Sequence, residues 1–355
     1  MKKKFIFSGL ALAMFALGFI ASDEPEKDDT PSGGAPSETP STPETPALEE
    51  NFFTVENGVF VNAPFPAATT DEELEGVSMS EYVMSGNMNF ITVTTEQEVE
   101  TFYLAVEGQE GYIEYTPIES SETRGTLHVY IIPVMISIHL DVDFILWLAA
   151  KLLHGHITPP CHHHLGHLQT REGDVEVKLA FSNEKDIDIH LYTPSGIHIY
   201  YGNSSGGYYE GSVNGVNGIY EFGLDIDSNA NCSIDGINKE NIYIPAQFVE
   251  DGIYTVEVDL YKNCNPSIAT QWSISTTYKG KLVTPLTGAN PASGEFKIGA
   301  PSSGNSNHVA VMTFEIKNSN AQHPRSVKGG VMSHDEFWNK IPENQKDKIE
   351  FSLDD

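Results

Sequence analysis

The stretch Thr101-Phe102-Tyr103-Leu104-Ala105-Val106-Glu107 sets Phe102, Leu104 and Val106 at every second position. That spacing is the period of a strand with one face in a core. Outward from it, short apolar runs recur at 52–55, 59–61, 89–94, 112–115, 127–139 and 144–151, punctuated by Pro, Gly and Asn. Such punctuation between strand-length runs predicts an all-β domain of immunoglobulin-like size over 51–153. The run 144–153 is also compatible with a buried helix, because a short apolar run has no decisive period.

A second series of strand-length runs follows at 175–181, 187–192, 197–201, 218–224, 241–244, 252–261, 270–278 and 309–316. It predicts a β-sandwich of jelly-roll type over 171–318. The expected fold is therefore all-β, two tandem β-sandwich domains, the first immunoglobulin-like and the second jelly-roll-like. Between them, 154–170 reads as a histidine-rich inter-domain loop. Beyond 318 the chain turns polar, and Ser333 with Glu336 gives a capping-box spacing for a short helix in the tail 319–355.

The chain begins with Met1-Lys2-Lys3-Lys4 and an apolar run from Phe5 to Ala21. A basic start before a short apolar segment is a secretory signal pattern, so 1–21 is expected to direct export. Ser8, Gly9 and Gly18 break the run, which is short for a membrane span, and no transmembrane span is expected in the mature chain. The linker 22–50 carries Pro25, Pro31, Pro36, Pro40, Pro43 and Pro46 among Ser, Thr and Glu. With almost nothing apolar to bury, it is expected to be a disordered, extended tether.

Among 355 residues, 50 Asp and Glu stand against 20 Lys and Arg, a formal charge of −30. A nucleic-acid partner is excluded on this balance, since phosphate recognition needs a basic footprint. The acids are not evenly meaningful. Asp186 and Asp188 sit two apart on an expected strand, so both carboxylates crowd one face. Asp225-Ile226-Asp227-Ser228-Asn229-Ala230-Asn231, followed by Asp235, alternates hard oxygen donors. Oxygen sets of this kind suit calcium, which takes six to eight of them. The alternative is that these side chains cap turns. An EF-hand is excluded: counted from Asp225, Ala230 stands where the loop needs Gly, and Gly236 where it needs Glu.

Asp186-x-Asp188-x-His190-Leu191, Pro194-Ser195-Gly196, Tyr200-Tyr201-Gly202-Asn203, Asp225-x-Asp227 and Glu240-Asn241-Ile242 occur in that order. Over 172–283 the chain thereby resembles the YfaP-like secreted β-domains of bacteria, which are similar to pre-peptidase C-terminal modules. The resemblance implies a β-sandwich with bound calcium and a role in surface or ligand attachment. It carries Asp186, Asp188, Asp225, Asp227 and Glu240 over as ligands, and it brings no catalytic residue. The whole arrangement also resembles surface proteins of Bacteroides-type bacteria. Phe19-Ile20-Ala21 resembles the lipobox of bacterial lipoproteins, and Asp23-Glu24 their surface-export signal. Ser22 stands where a thioether needs a cysteine, so a lipid anchor is not expected. The location implied is the outer-membrane surface or the extracellular space.

An exported chain meets oxidising conditions, and Cys232 and Cys264 are expected to pair. Closing that loop constrains the unfolded chain by roughly 3–4 kcal/mol. Cys161 remains in His154-Gly-His156-Ile-Thr-Pro-Pro-Cys161-His162-His163-His164-Leu-Gly-His167. Imidazole and thiolate bind zinc or copper, which nominates His154, His156, Cys161, His162, His164 and His167 as transition-metal ligands. An exposed loop is the alternative. Gly202-Asn203-Ser204-Ser205-Gly206 matches a nucleophile elbow, but Tyr208 and Tyr209 follow where that motif needs a helix, so it reads as a hairpin tip. The leading expectation is a non-catalytic exported protein that presents a calcium-supported sandwich to a glycan or protein. Its rival is a metal-dependent hydrolase, or a zinc- or copper-binding protein, using the His/Cys tract.

Overall fold

Strands dominate the chain because β-branched and aromatic residues alternate with polar ones between turn residues. The computed structural model describes residues 47–117, 127–213, 216–304 and 308–317. The leader 1–21, the linker as far as 46 and the tail with its expected helix lie outside the described residues. Helical structure among the described residues is limited to Ala47–Asn51 and two short turns, Ala230–Cys232 and Ala246–Phe248.

The first sandwich packs a four-stranded sheet on a six-stranded one. The smaller sheet orders its strands Phe53–Val55, His128–Ile136, Met88–Thr95 and Val77–Ser78. The larger runs Val59–Val61, Tyr112–Tyr115, Val99–Val106, Phe144–Leu152, Cys161–His167 and Tyr82–Val83. Phe102, Leu104 and Val106 face its core beside Phe53, Ile91, Ile132, Leu146 and Leu148. The run 144–153 is a strand and not a helix, with Phe144, Leu146 and Leu148 buried and Ile145 and Trp147 half-buried between them.

The expected loop over 154–170 is corrected by Cys161–His167, which pairs antiparallel with Phe144–Leu152 from Cys161 opposite Leu148 to Leu165 opposite Phe144. His162 and His164 are exposed while Cys161, His163 and Leu165 lie on the more covered face. The period of two is there, but histidines on both faces hide it from a polarity pattern.

In the second sandwich, one sheet orders Ser205–Val213, Val216–Ile226, Lys239–Ile244, Val175–Phe181, Thr270–Tyr278 and Lys281–Leu282, with Ala292–Phe296 also on Thr270–Tyr278. The facing sheet orders His198–Ile199, Asp186–Tyr192, Gly252–Lys262, Val309–Ile316 and Pro285–Gly288. Val177, Leu179, Ile187, Ile189, Leu191, Ile242, Val256, Ile274 and Phe314 fill the space between them. Tyr254 stacks on Phe314 at 5.1 Å, and its hydroxyl donates back to the Glu250 carbonyl at 3.0 Å.

Both sandwiches belong to one compact unit. Polar contacts join them. Lys239 Nζ donates to Asn89 Oδ1 at 3.0 Å, Asn87 Nδ2 to the Leu179 carbonyl at 3.1 Å, and Ser275 Oγ to the Gly86 carbonyl at 2.9 Å. This explains why Lys239 is buried: its ammonium is covered by the first sandwich, and desolvation lowers its pKa to about 7.

Candidate metal centre

Strand Asp186–Tyr192 alternates apolar and polar residues, and Ile187, Ile189 and Leu191 take the core side. Asp186, Asp188 and His190 therefore project to the other face, yet each is at most 2 % exposed. A bulge between Asp186 and Asp188 shifts the register against Gly252–Lys262, bringing Asp188 opposite Asp259. On its other edge, among the described residues, the strand pairs only at Leu191 and Tyr192. There Glu240 reaches over from the facing sheet, and its Oε2 accepts the amide of Ile189 at 2.7 Å.

Asp188, Asp227 and Glu240 each bring a carboxylate oxygen within 4.8 Å of the others. Asp188 Oδ2, Glu240 Oε1 and Asp259 Oδ2 are buried and have no hydrogen-bond partner among the described residues. Burying a carboxylate oxygen without a donor is costly unless a proton or a cation meets it. Burial, then the neighbouring acids, raises Asp188 to about 9 and Glu240 well above its ordinary value. Burial raises Asp186 to about 7 against the pull of the Asn231 amide, with Asp227 adding to the rise. Asp227, at the exposed lip, is raised to about 6 by desolvation of its carboxylate and by Asp235. Lys262 pulls the Asp186 carboxyl the other way, whereas Lys185 donates to Asn263 Oδ1 at 2.7 Å.

Not all the expected ligands converge. Asp225 is turned aside: its Oδ2 accepts the Arg171 amide at 2.6 Å and its Oδ1 accepts Asn241 Nδ2 at 2.6 Å. A bulge between Leu224 and Ile226 accompanies that turn. Asp235 caps its own loop, accepting from Ser228 Oγ and the Ile237 amide, both at 2.8 Å. Asn229 is spent on Lys185, Asn238 and the Asp235 amide. Two of the seven expected donors thus cap turns, and Asp225 serves a neighbouring strand.

The bridge between Cys232 and Cys264 is present, with Cα atoms 5.6 Å apart. It ties the Ala230–Cys232 turn, whose Asn231 amide donates to Asp186 Oδ2 at 2.8 Å, to the loop after Lys262. The disulfide therefore supports one wall of the acid cluster.

Sequence reasoning missed Asp259, His190, His198 and His308 as site residues. His190 Nδ1 lies 2.9 Å from His198 Nε2, and the His190 ring stacks on His308 at 4.0 Å between centroids. His198 lies between Tyr192 and Tyr200, at 4.2 and 4.1 Å. Burial, then His308 and His198, lowers His190 to about 3, and burial, then His308, lowers His198 to about 4. Both are neutral imidazoles at pH 7. Alternation in Glu257-Val258-Asp259 reads as an ordinary strand, and nothing in one sequence pairs Asp259 with Asp188.

The histidine tract does not converge in the same way. Among the described residues, no three-ligand group within 4.8 Å includes His154, His156, Cys161, His162, His164 or His167. His162 stacks on Trp147 at 4.8 Å, and His167 Nε2 is 2.9 Å from Ser85 Oγ. Cys161 Sγ donates to the Leu148 carbonyl, and burial pushes its thiol up to about 11, away from the thiolate that binds metal. Ser204 of the elbow-like sequence leads into the strand Ser205–Val213, not a helix.

Fold and site together define an all-β protein of two sandwiches, the second of which buries a carboxylate cluster at the edge where its sheets meet. No protein-family model matches the chain, and comparison with curated proteins finds no match. Among solved structures it is similar to SGBP-B of the Bacteroides ovatus mixed-linkage glucan utilization locus, in complex with a mixed-linkage heptasaccharide. That similarity has 11 % identity and a TM-score of 0.21, and covers 54 % of this chain and 40 % of that one. It is also similar to the C-terminal domain of the Streptococcus agalactiae AgI/II polypeptide BspA, at 8 % identity and a TM-score of 0.19, over 66 % of this chain and 94 % of that one. Likenesses this distant carry no argument about function. No described helix is long and apolar enough to cross a membrane.

Proposed function

We propose that the protein is a non-catalytic, exported binding protein whose second sandwich is organised by calcium. One observation carries the reading: Asp188, Asp227 and Glu240 bring oxygens together while Asp188 Oδ2 and Glu240 Oε1 stay buried without a donor among the described residues. Those three residues would hold the ion, with Asp186 beside them. Oxygen-only donors from separate strands and loops fit a hard cation of flexible coordination. Its charge would neutralise the crowded acids and fasten Glu240 of one sheet to Asp188 of the other.

Export rests on the leader pattern of Met1–Ala21, and the Pro-rich tether would hold the sandwiches away from a surface. A glycan or a protein is the class of ligand such a display serves. Tyr192 and Tyr200, half-buried beside the cluster, offer rings that combine apolar area with a hydroxyl. The test is a thermal melt of chelator-stripped protein with added calcium. No change in melting temperature at millimolar calcium would sink the reading. Screening the same protein against a glycan array and extracellular proteins identifies the ligand.

A further inference from the structure

Beside the oxygen-only group lies a second convergence, of different chemistry. Asp188 and Asp259 face each other across neighbouring strands, and like charges in that position repel. His190 completes the group: each of the three offers a ligand atom within 4.8 Å of the others. Asp188, His190 and Asp259 are 2 %, 0 % and 1 % exposed. On each, one polar atom (Oδ2, Nε2 and Oδ2) is buried with no hydrogen-bond partner among the described residues. The rest of each side chain is engaged. Asp259 Oδ1 accepts Ser303 Oγ, and the neighbouring Asp186 acts on the Asp188 carboxyl.

The imidazole is positioned as a ligand would be. When His190 Nδ1 carries the proton and donates it to His198 Nε2, 2.9 Å away, Nε2 presents its lone pair. A metal-binding histidine commonly has its other nitrogen fixed in this way. Stacking on His308 at 4.0 Å and on Tyr200 at 5.3 Å restrains the ring plane.

We infer that Asp188, His190 and Asp259 form a second cation site, for a divalent first-row transition ion such as Mn2+, sharing Asp188 with the oxygen-only group. Calcium takes oxygen donors, so the nitrogen argues for a different ion. Imidazole suits transition metals and carboxylates suit Mn2+, which accepts both kinds of donor. The two groups differ in their remaining members: Asp227 and Glu240 belong to one, His190 and Asp259 to the other. The inference therefore stands apart from the calcium reading and fails separately.

The experiment uses the full chain, stripped with chelator and resupplied with saturating calcium, and titrates Mn2+ by electron paramagnetic resonance. The expected result is about one Mn2+ bound per chain with nitrogen coupling from an imidazole. His190→Ala should weaken Mn2+ binding by about tenfold or more and remove that coupling, while the calcium-induced melting shift persists. If His190→Ala fails to fold, Asp259→Asn should weaken Mn2+ binding with the nitrogen coupling of any residual bound ion retained. Absence of Mn2+ binding above the calcium background overturns the inference. So does nitrogen coupling that survives His190→Ala, since it would then come from another histidine, such as the neighbouring His198 or His308.

Discussion

Glu240 crosses from one sheet of the second sandwich to the other, where its Oε2 takes a 2.7 Å hydrogen bond from the Ile189 amide. Its Oε1 remains buried, with no partner among the described residues, close to Asp188. A carboxylate held this way serves two roles: it caps an open strand edge, and it contributes charge to a cluster that already has too much. Glu240→Gln keeps an oxygen for the Ile189 amide and removes the charge. In chelator, the variant should melt above the parent chain because repulsion with Asp188 and Asp227 is relieved. In calcium the order should reverse. Melting curves of both chains in both conditions check this.

The carboxyl groups also predict how the metal-free protein responds to pH. A carboxyl whose folded pKa is raised binds its proton more tightly in the native state than in the unfolded chain. Its stabilising effect is therefore full below the unfolded value near 4 and is lost as pH rises through the folded value. Asp186 is raised to about 7 and Asp188 to about 9, by burial first and by neighbouring acids after it. The groups that face them are Asp227, Glu240, Asp259, Lys262 and His190. Denaturation in chelator should show stability falling between pH 4 and 9, most steeply below about pH 6, where Asp227, Asp186 and Asp188 all contribute, and more gently above neutrality. Calcium should flatten or reverse that slope, since it binds the deprotonated form.

Removing the disulfide tests the wall of the site. Cys232→Ala with Cys264→Ala frees the turn that places the Asn231 amide on Asp186. The double variant should lose roughly 3–4 kcal/mol in urea unfolding from the unfolded-chain constraint alone. Its calcium affinity should fall as well, which an effect on the unfolded chain alone does not predict.

The contact between the sandwiches gives a fourth expectation. Asn89→Ala takes away the acceptor of the buried Lys239 ammonium. A buried donor left without its partner costs about 1–3 kcal/mol. Because both sandwiches form one unit, urea unfolding should remain a single transition displaced to lower midpoint. Two separated transitions would mean that the sandwiches unfold independently.

Most strands were legible from alternation such as Phe102, Leu104 and Val106, because a half-buried strand writes its period into the sequence. Cys161–His167 was not, since histidine occupies both its faces and masks the pattern. The short strands Pro285–Gly288 and Ala292–Phe296 carry too little apolar residue to signal themselves. Of the site, Asp186 and Asp188 could be read from their spacing, and Glu240 from resemblance alone. Asp225 could not be set apart from Asp227, because a bulge decides which side each takes. Asp259 and His308 join the site through pairing across distant strands, which local pattern does not encode.

The most direct test of the central claim is the thermal unfolding of chelator-stripped full-length protein, with and without millimolar calcium. At about a hundred times the dissociation constant, a bound ion stabilises by roughly 2.7 kcal/mol. For a unit of this size that corresponds to a rise of roughly 4–5 °C in melting temperature. The account predicts such a rise in the parent chain and its loss in Glu240→Gln. An unchanged melting temperature in the parent chain, or an equal rise in both, would contradict it.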